Sequence, residues 1–257
     1  MGTHARWAVP VRLRSYNLAA GMLHAAQAIA VVVFANAFSL PVRASYMTGP
    51  PGAGVGTRTV TLFDLRFAWA IAAFFALSAV AHLAIAGPAW PAYQAQLANQ
   101  RNPYRWLEYS LSASVMIVLI AMLVGIDDVG ALVALIGVNA SMIGFGWLQE
   151  RDEPPGGSLG PFWLGCLAGI VPWAAIAVYL AGPGADLHPP AFVYAIFASL
   201  FAAFNCFAVN QWLQYRRVGR WREYLVGERV YVTLSLAAKT LLAWQIFAST
   251  LASTAAH

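Results

Sequence analysis

The sequence predicts an all-α membrane protein: a seven-transmembrane-helix bundle with a small extracellular β-hairpin between helices 1 and 2. Three observations carry this expectation. Of the 257 residues, 60% are hydrophobic and only 10% are charged, whereas an ordinary soluble domain is about 25% charged. The apolar residues gather in seven runs, each long enough for the roughly 20-residue helix that crosses a bilayer. The arginines crowd into alternate connections between those runs.

The first run, 17–38, follows an arginine-bearing segment, as a signal peptide would. It is longer than a signal core and six more runs follow, so it reads as a retained helix. The connection after it, 39–64, is the longest. Its end, Thr57-Arg58-Thr59-Val60-Thr61-Leu62-Phe63, alternates polar and apolar residues. Residues 42–47 can pair with it across the Gly/Pro-rich stretch 49–56, which gives a hairpin; the competing reading is an open loop. The later runs cover 65–87, 104–125, 128–149, 161–181, 190–214 and 225–251. Between them lie Gly87-Pro88, Asp127-Asp128, Pro154-Pro155-Gly156-Gly157 and Gly182-Pro183-Gly184, all breakers of regular structure. In the fifth run Gly165 and Gly169 have the spacing of close helix packing. Residues 1–257 read as one domain.

Arginine placement sets the orientation. With the N-terminus in the cytoplasm, the inner segments hold Arg6, Arg12, Arg14, Arg101, Arg105, Arg151, Arg216, Arg217, Arg220, Arg222 and Arg229. The outer ones hold Arg43, Arg58 and Arg66, beside Asp64, Asp127, Asp128 and Asp186. The positive-inside rule therefore predicts a multi-pass cell-membrane protein with a cytoplasmic N-terminus and an extracellular C-terminus. The net charge of +5 is spread for topology rather than gathered for nucleic acid. Cys166 and Cys206 fall inside apolar runs, so no disulfide framework is expected. The segment 216–222 is a topology signal or a docking site for a cytoplasmic partner.

Inside the seventh run stands Lys239, the sole lysine of the chain. An isolated charge at the centre of a membrane helix costs at least about 2.5 kcal/mol. The residue either snorkels, pairs with a carboxylate, or serves as an amine anchor for a carbonyl-bearing cofactor, since lysine can form a Schiff base and arginine cannot. Glu108 in the third run is its natural partner, with an interfacial carboxylate as the alternative. For the two to meet at one depth, helix 3 should begin upstream of Pro103, within 93–98. Arg105, one turn before Glu108, could stabilise that carboxylate or hold water. His24 and His82 titrate near neutral pH and could accept a proton; as a metal site the pair is weak, and structural histidines remain an alternative. Ser112, Asn139, Ser235 and Gln211 are ordinary interhelical hydrogen bonders taken alone, with Ser235 one turn before Lys239. No nucleophile–base pair or metal-ligand set points to an enzyme.

Helix 3 reads WLEYSLSASVMIVLI, helix 4 VNASMIGFGWLQE, helix 5 FWLGCLAGIVPW and helix 7 GERVYVTLSLAAKTLLAWQIF. Together with a lone lysine in the seventh span and a carboxylate in the third, these resemble the heliorhodopsins, retinal proteins inverted relative to other microbial rhodopsins. The resemblance covers nearly the whole chain and agrees with the orientation that the arginines predict. It implies all-trans retinal bound to Lys239 as a protonated Schiff base, Glu108 as counterion, and Ser235, Ser112 and Arg105 nearby. Ser235 stands where pumps keep a second carboxylate, and Phe204 where they usually keep a tryptophan. The implied pocket holds Tyr109, Met116, Asn139, Met142, Trp163, Phe204, Phe207 and Gln211, with His24 and His82 in a polar cavity as candidate proton acceptors. The implied function is light sensing with a slow photocycle, no net ion pumping, a homodimer and a cytoplasmic signalling partner. A light-driven ion transporter or channel is the alternative, followed by a seven-span carrier or intramembrane enzyme without retinal.

Overall fold

The computed structural model describes residues 3–50, 56–182 and 189–254. The hairpin tip (51–55) and the break at 183–188, with Pro183, Gly184 and Asp186, lie outside the described residues, as does the side chain of Arg6. The chain runs α1 (Thr3–Val33), β1 (Ser39–Met47), β2 (Thr57–Arg66), α2 (Phe67–Ala86), α3 (Trp90–Ala98), α4 (Pro103–Leu123), α5 (Val129–Asp152), α6 (Gly160–Ala181), α7 (Ala191–Tyr215) and α8 (Tyr224–Thr254). A 3-10 turn at Gly219–Arg222 precedes α8. Seven of the described helices, all but α3, are long and apolar enough to cross a membrane.

Caps and breakers explain the ends. Asn102 accepts from the Arg105 backbone N–H to start α4, with Pro103 in the first turn. Asp128 does the same for α5 through Ala131. Gly125, at φ 96° after α4, lets the chain reverse where a side chain would be strained.

The hairpin is antiparallel, with Val42 opposite Phe63 and Met47 opposite Thr57, and one register shift between Val42 and Arg43. It is longer at its base than the alternation predicted, reaching Ser39 and Arg66. It is docked rather than free. Arg43 N–H donates to the Asp127 carbonyl at 2.8 Å, and its guanidinium meets the Asp127 carboxylate at 2.6 Å. β1 is thereby strapped to the α4–α5 turn.

The main apolar core fills the hairpin half of the bundle, where Phe67, Ile71, Phe74, Ile117, Ile120, Leu200, Leu242 and Ile246 are buried. Polar and charged side chains gather in the other half. There α3, which hydropathy did not reveal, packs Tyr93 and Leu97 against Leu13 and Ile85. The close approach expected of Gly165 and Gly169 is present: a Cβ on Gly169 would lie 2.6 Å from the Met142 sulfur, and one on Gly165 3.3 Å from the Met142 carbonyl.

Candidate functional site

Lys239 and Glu108 meet. Lys239 Nζ donates to Glu108 Oε1 at 2.9 Å and to Ser235 Oγ at 2.8 Å. Both side chains are buried, 3% and 7% exposed, so solvent screens the pair little. The upstream helix start that this pairing was expected to need does not occur: α4 begins at Pro103, and 90–98 form the separate α3. The difference in depth is taken up by the lysine itself. Helical side chains lean toward the N-terminus of their helix, and Nζ reaches back one full turn to Ser235. Ser78 of α2, which the sequence reading did not single out, donates to Glu108 Oε1 at 2.6 Å.

The two histidines lie against this group. His24 and His82 stack with ring centroids 5.6 Å apart and planes 8° from parallel. His82 Nδ1 shares a 2.8 Å hydrogen bond with Asn17 Oδ1. Both His24 nitrogens are buried without a protein partner.

On the other side of Lys239 runs a cavity of about 190 Å³. Lys239, Ser235, Ser112, Tyr109, Met116, Met142, Phe204, Phe207 and Gln211 line it, as do Trp106, Trp173 and Phe201. Tyr109 O–H donates to the Tyr231 carbonyl at 2.8 Å, and Gln211 Nε2 to the Gly146 carbonyl at 3.0 Å. Asn139 and Trp163 lie elsewhere. Asn139 bonds Ser114 Oγ at 3.1 Å, and Trp163 is 58% exposed on the outer face of α6; Trp173, almost three turns on, holds the inward position.

Arg105 also lies elsewhere. Its guanidinium turns from Glu108 to Glu150, at 2.6 Å, and to Glu228. It is sandwiched against the Trp106 ring at 4.5 Å and the Tyr231 ring at 4.0 Å.

Residues 13–251 match the Heliorhodopsin family. The chain belongs to that family. Among solved structures, cyanorhodopsin from the cyanobacterium Tolypothrix sp. NIES-4075 is 12% identical with a TM-score of 0.62, covering 92% of each chain. The transmembrane domain and linker region of Salpingoeca rosetta rhodopsin phosphodiesterase is 14% identical with a TM-score of 0.69, covering 98% of this chain and 83% of that one. A light-driven proton pump from Leptosphaeria maculans is 12% identical at 0.64, covering 93% and 95%. No curated sequence matches the chain. At these identities the structures establish a microbial-rhodopsin fold, and with the family they make the protein a retinal photoreceptor-type membrane protein.

This heliorhodopsin's residues fit retinal. An apolar, aromatic-lined cavity ends on a buried primary amine paired with one carboxylate, which suits a conjugated aldehyde held through an imine. Glycines shape the walls: a Cβ on Gly146 would lie 2.7 Å from the Trp106 ring. The residues that sequence reasoning missed include Ser78, Asn17, Trp106, Trp173, Phe201, Glu150 and Glu228. Serine at 78 left no signal among many small residues. Glu150 and Glu228 did leave one, as carboxylates inside or at the edge of apolar runs.

Proposed function

We propose that this heliorhodopsin is a light sensor in which Lys239 carries the chromophore and Glu108 is its counterion. The observation that carries the reading is the buried 2.9 Å contact between Lys239 and Glu108 at one end of the cavity. Bound there as a protonated Schiff base, all-trans retinal supplies visible absorption and photoisomerisation. The Glu108 carboxylate balances the positive charge at the Lys239 nitrogen, and Ser78 and Ser235 hold the pair in register. Tyr109, Met116, Met142, Phe204 and Phe207 exclude water from the chain of the chromophore. His24, with two unengaged ring nitrogens next to His82, is the base for a proton leaving that nitrogen.

Three further assignments belong to this reading. The end opposite the hairpin faces the cytoplasm, because exposed Arg101, Arg151, Arg216, Arg217, Arg220 and Arg222 gather there. The whole chain acts as one unit, and as a homodimer to which the hairpin contributes; 216–222 offers a surface for a cytoplasmic partner. Light drives a slow conformational cycle rather than net pumping. In support, the buried carboxylates among the described residues, Glu108, Glu150 and Glu228, all lie in the half away from the hairpin, which leaves the outer half without an ionisable relay. The alternative is a light-driven proton transporter or channel whose path runs through water.

The test is the visible spectrum of the protein expressed with all-trans retinal. The parent is expected to show a band that Lys239→Ala abolishes and Glu108→Gln shifts to the red. A parent without a band removes the chromophore from Lys239. Sustained light-induced acidification or alkalinisation around expressing cells favours the transporter.

A further inference from the structure

Glu228 and Glu150 face a single cation. Arg105 sits between them, with side-chain exposures of 5% for Arg105, 3% for Glu150 and 1% for Glu228. Among the described residues no other lysine or arginine pairs with either carboxylate; Arg101 donates to the Arg151 carbonyl and Arg151 to Asp152. The remaining titratable groups turned toward the cluster are phenols: Tyr224 and Tyr231 of α8, Tyr93 of α3, Tyr109 of α4 and Tyr215 of α7. With both carboxylates ionised the site would hold one excess negative charge away from water, which is costly by any measure of buried charge. The starts of α4 and α8 point partial positive charge at it, and these are spread over two helix ends rather than localised on an oxygen.

We propose that this cluster is a proton-holding site, with the proton carried by Glu228 in the dark. The hydrogen bonds divide the roles. Glu150 accepts four donors: Asn102 N–H at 2.8 Å, Trp106 Nε1 at 2.5 Å, Arg105 Nη2 at 2.6 Å and Tyr224 O–H at 2.8 Å. That fills the lone pairs of a carboxylate and leaves none for a proton. Glu228 accepts one hydrogen bond, from Asn102 Nδ2 at 2.9 Å, and meets Arg105 as an ion pair through an Oε1 without a hydrogen-bond donor, so it is the one with capacity for an acidic hydrogen. Shared sites of this kind titrate as a unit, one member keeping its proton.

Two features give the site an outlet and an input. A crevice of about 290 Å³ at the same end is lined by Glu150, Tyr224, Arg101, Gln214 and Tyr215, so the cluster borders solvent through Glu150, which Asn102 and Arg105 link to Glu228. Lys239, Ser235, Tyr231 and Glu228 follow at intervals of four, four and three along one face of α8, all buried. A shift of α8 at Lys239 therefore moves Glu228 with it. This light-driven part rests on the reading above; the dark protonation does not.

Infrared spectroscopy of the purified full-length protein tests it, with ¹³C-glutamate labelling and exchange into D₂O. The parent is expected to show a protonated carboxylic-acid carbonyl band that shifts with both treatments. The band should vanish in Glu228→Gln, be lost or weakened in Glu150→Gln, where one carboxylate faces one cation, and persist in Glu108→Gln. Because an amide mimics a neutral acid, Glu228→Gln should keep the parent's denaturation midpoint, while Glu150→Gln lowers it by turning an NH₂ toward two of the four donors. Absence of a glutamic-acid band in the parent overturns the proposal whether or not any variant folds. So does a band that survives Glu228→Gln or disappears with Glu108→Gln. None of these readouts depends on whether retinal binds.

Discussion

The two buried cations among the described residues, Lys239 and Arg105, are held in opposite ways. Lys239 has one carboxylate and the hydroxyl of Ser235, with Ser78 steadying Glu108, and it borders an open cavity. Arg105 has two carboxylates and is closed between the rings of Trp106 and Tyr231. An ammonium can give up its proton and become a nucleophile; a guanidinium in a protein cannot. The lysine is thus set for reversible chemistry at one level of the bundle. The arginine, a turn below Glu108, ties α4, α5 and α8 together as a permanent charge. Function and cohesion are assigned to neighbouring layers.

The largest way to break this contrast is Arg105→Met. It strands the buried Glu150 carboxylate and removes the partner of Glu228, and removing one member of a buried ionic network costs about 3–5 kcal/mol; chemical denaturation of the purified protein should show it. Lys239→Met is expected to lose distinctly less, because Glu108 keeps the Ser78 hydrogen bond and can take up a proton. If Lys239→Met proves the more damaging of the two, the division of roles is reversed. Next in size is Gly146→Val, which forces a side chain into the Trp106 ring. Overpacking of this sort costs about 1–3 kcal/mol, and here it should also slow pigment formation with added retinal. Asn139→Leu removes only the bond to Ser114, about 1 kcal/mol, and should leave the absorption maximum in place, whereas Trp173→Leu should displace it. Smallest is Arg43→Ala. Its bond to Asp127 is half in solvent, so the stability change should stay below about 1 kcal/mol.

The seven spans were legible because hydropathy and length alone define them, and the hairpin because period-two alternation survived in 57–63. The Lys239–Glu108 pair was legible because a lone amine in hydrocarbon demands a partner. Residues facing into the bundle were harder to separate from those facing out. In a membrane both faces of a helix are apolar, so the pattern that marks a soluble helix's core face is absent. Trp163 and Trp173 are indistinguishable on that basis, and the structure turns the second inward. Arg105 was misassigned for a different reason: its nearest sequence neighbour of opposite charge is Glu108, and its actual partners are 45 and 123 positions away. Glu150 and Glu228 escaped because a carboxylate at the end of a span is ordinary in a membrane protein. α3 escaped because nine residues with a proline in the first turn carry too little periodicity to stand out from a loop.

The strap from Arg43 to Asp127 has a mechanical consequence. It fastens the α4–α5 turn, just past one end of α4, to the hairpin, while Glu108 and Arg105 sit near the other end. A helix of 21 residues is about 30 Å long. A tilt of about 5° about the strap would carry the far tip about 2–3 Å, and Asn102 and Arg105, bonded there to Glu150 and Glu228, would take α5 and α8 with it. An impulse delivered near Glu108 therefore acts on the long arm. The crevice rim of Asn99, Gln100 and Arg101 adjoins that tip, so a stroke of this kind would be read at the crevice rather than at the hairpin.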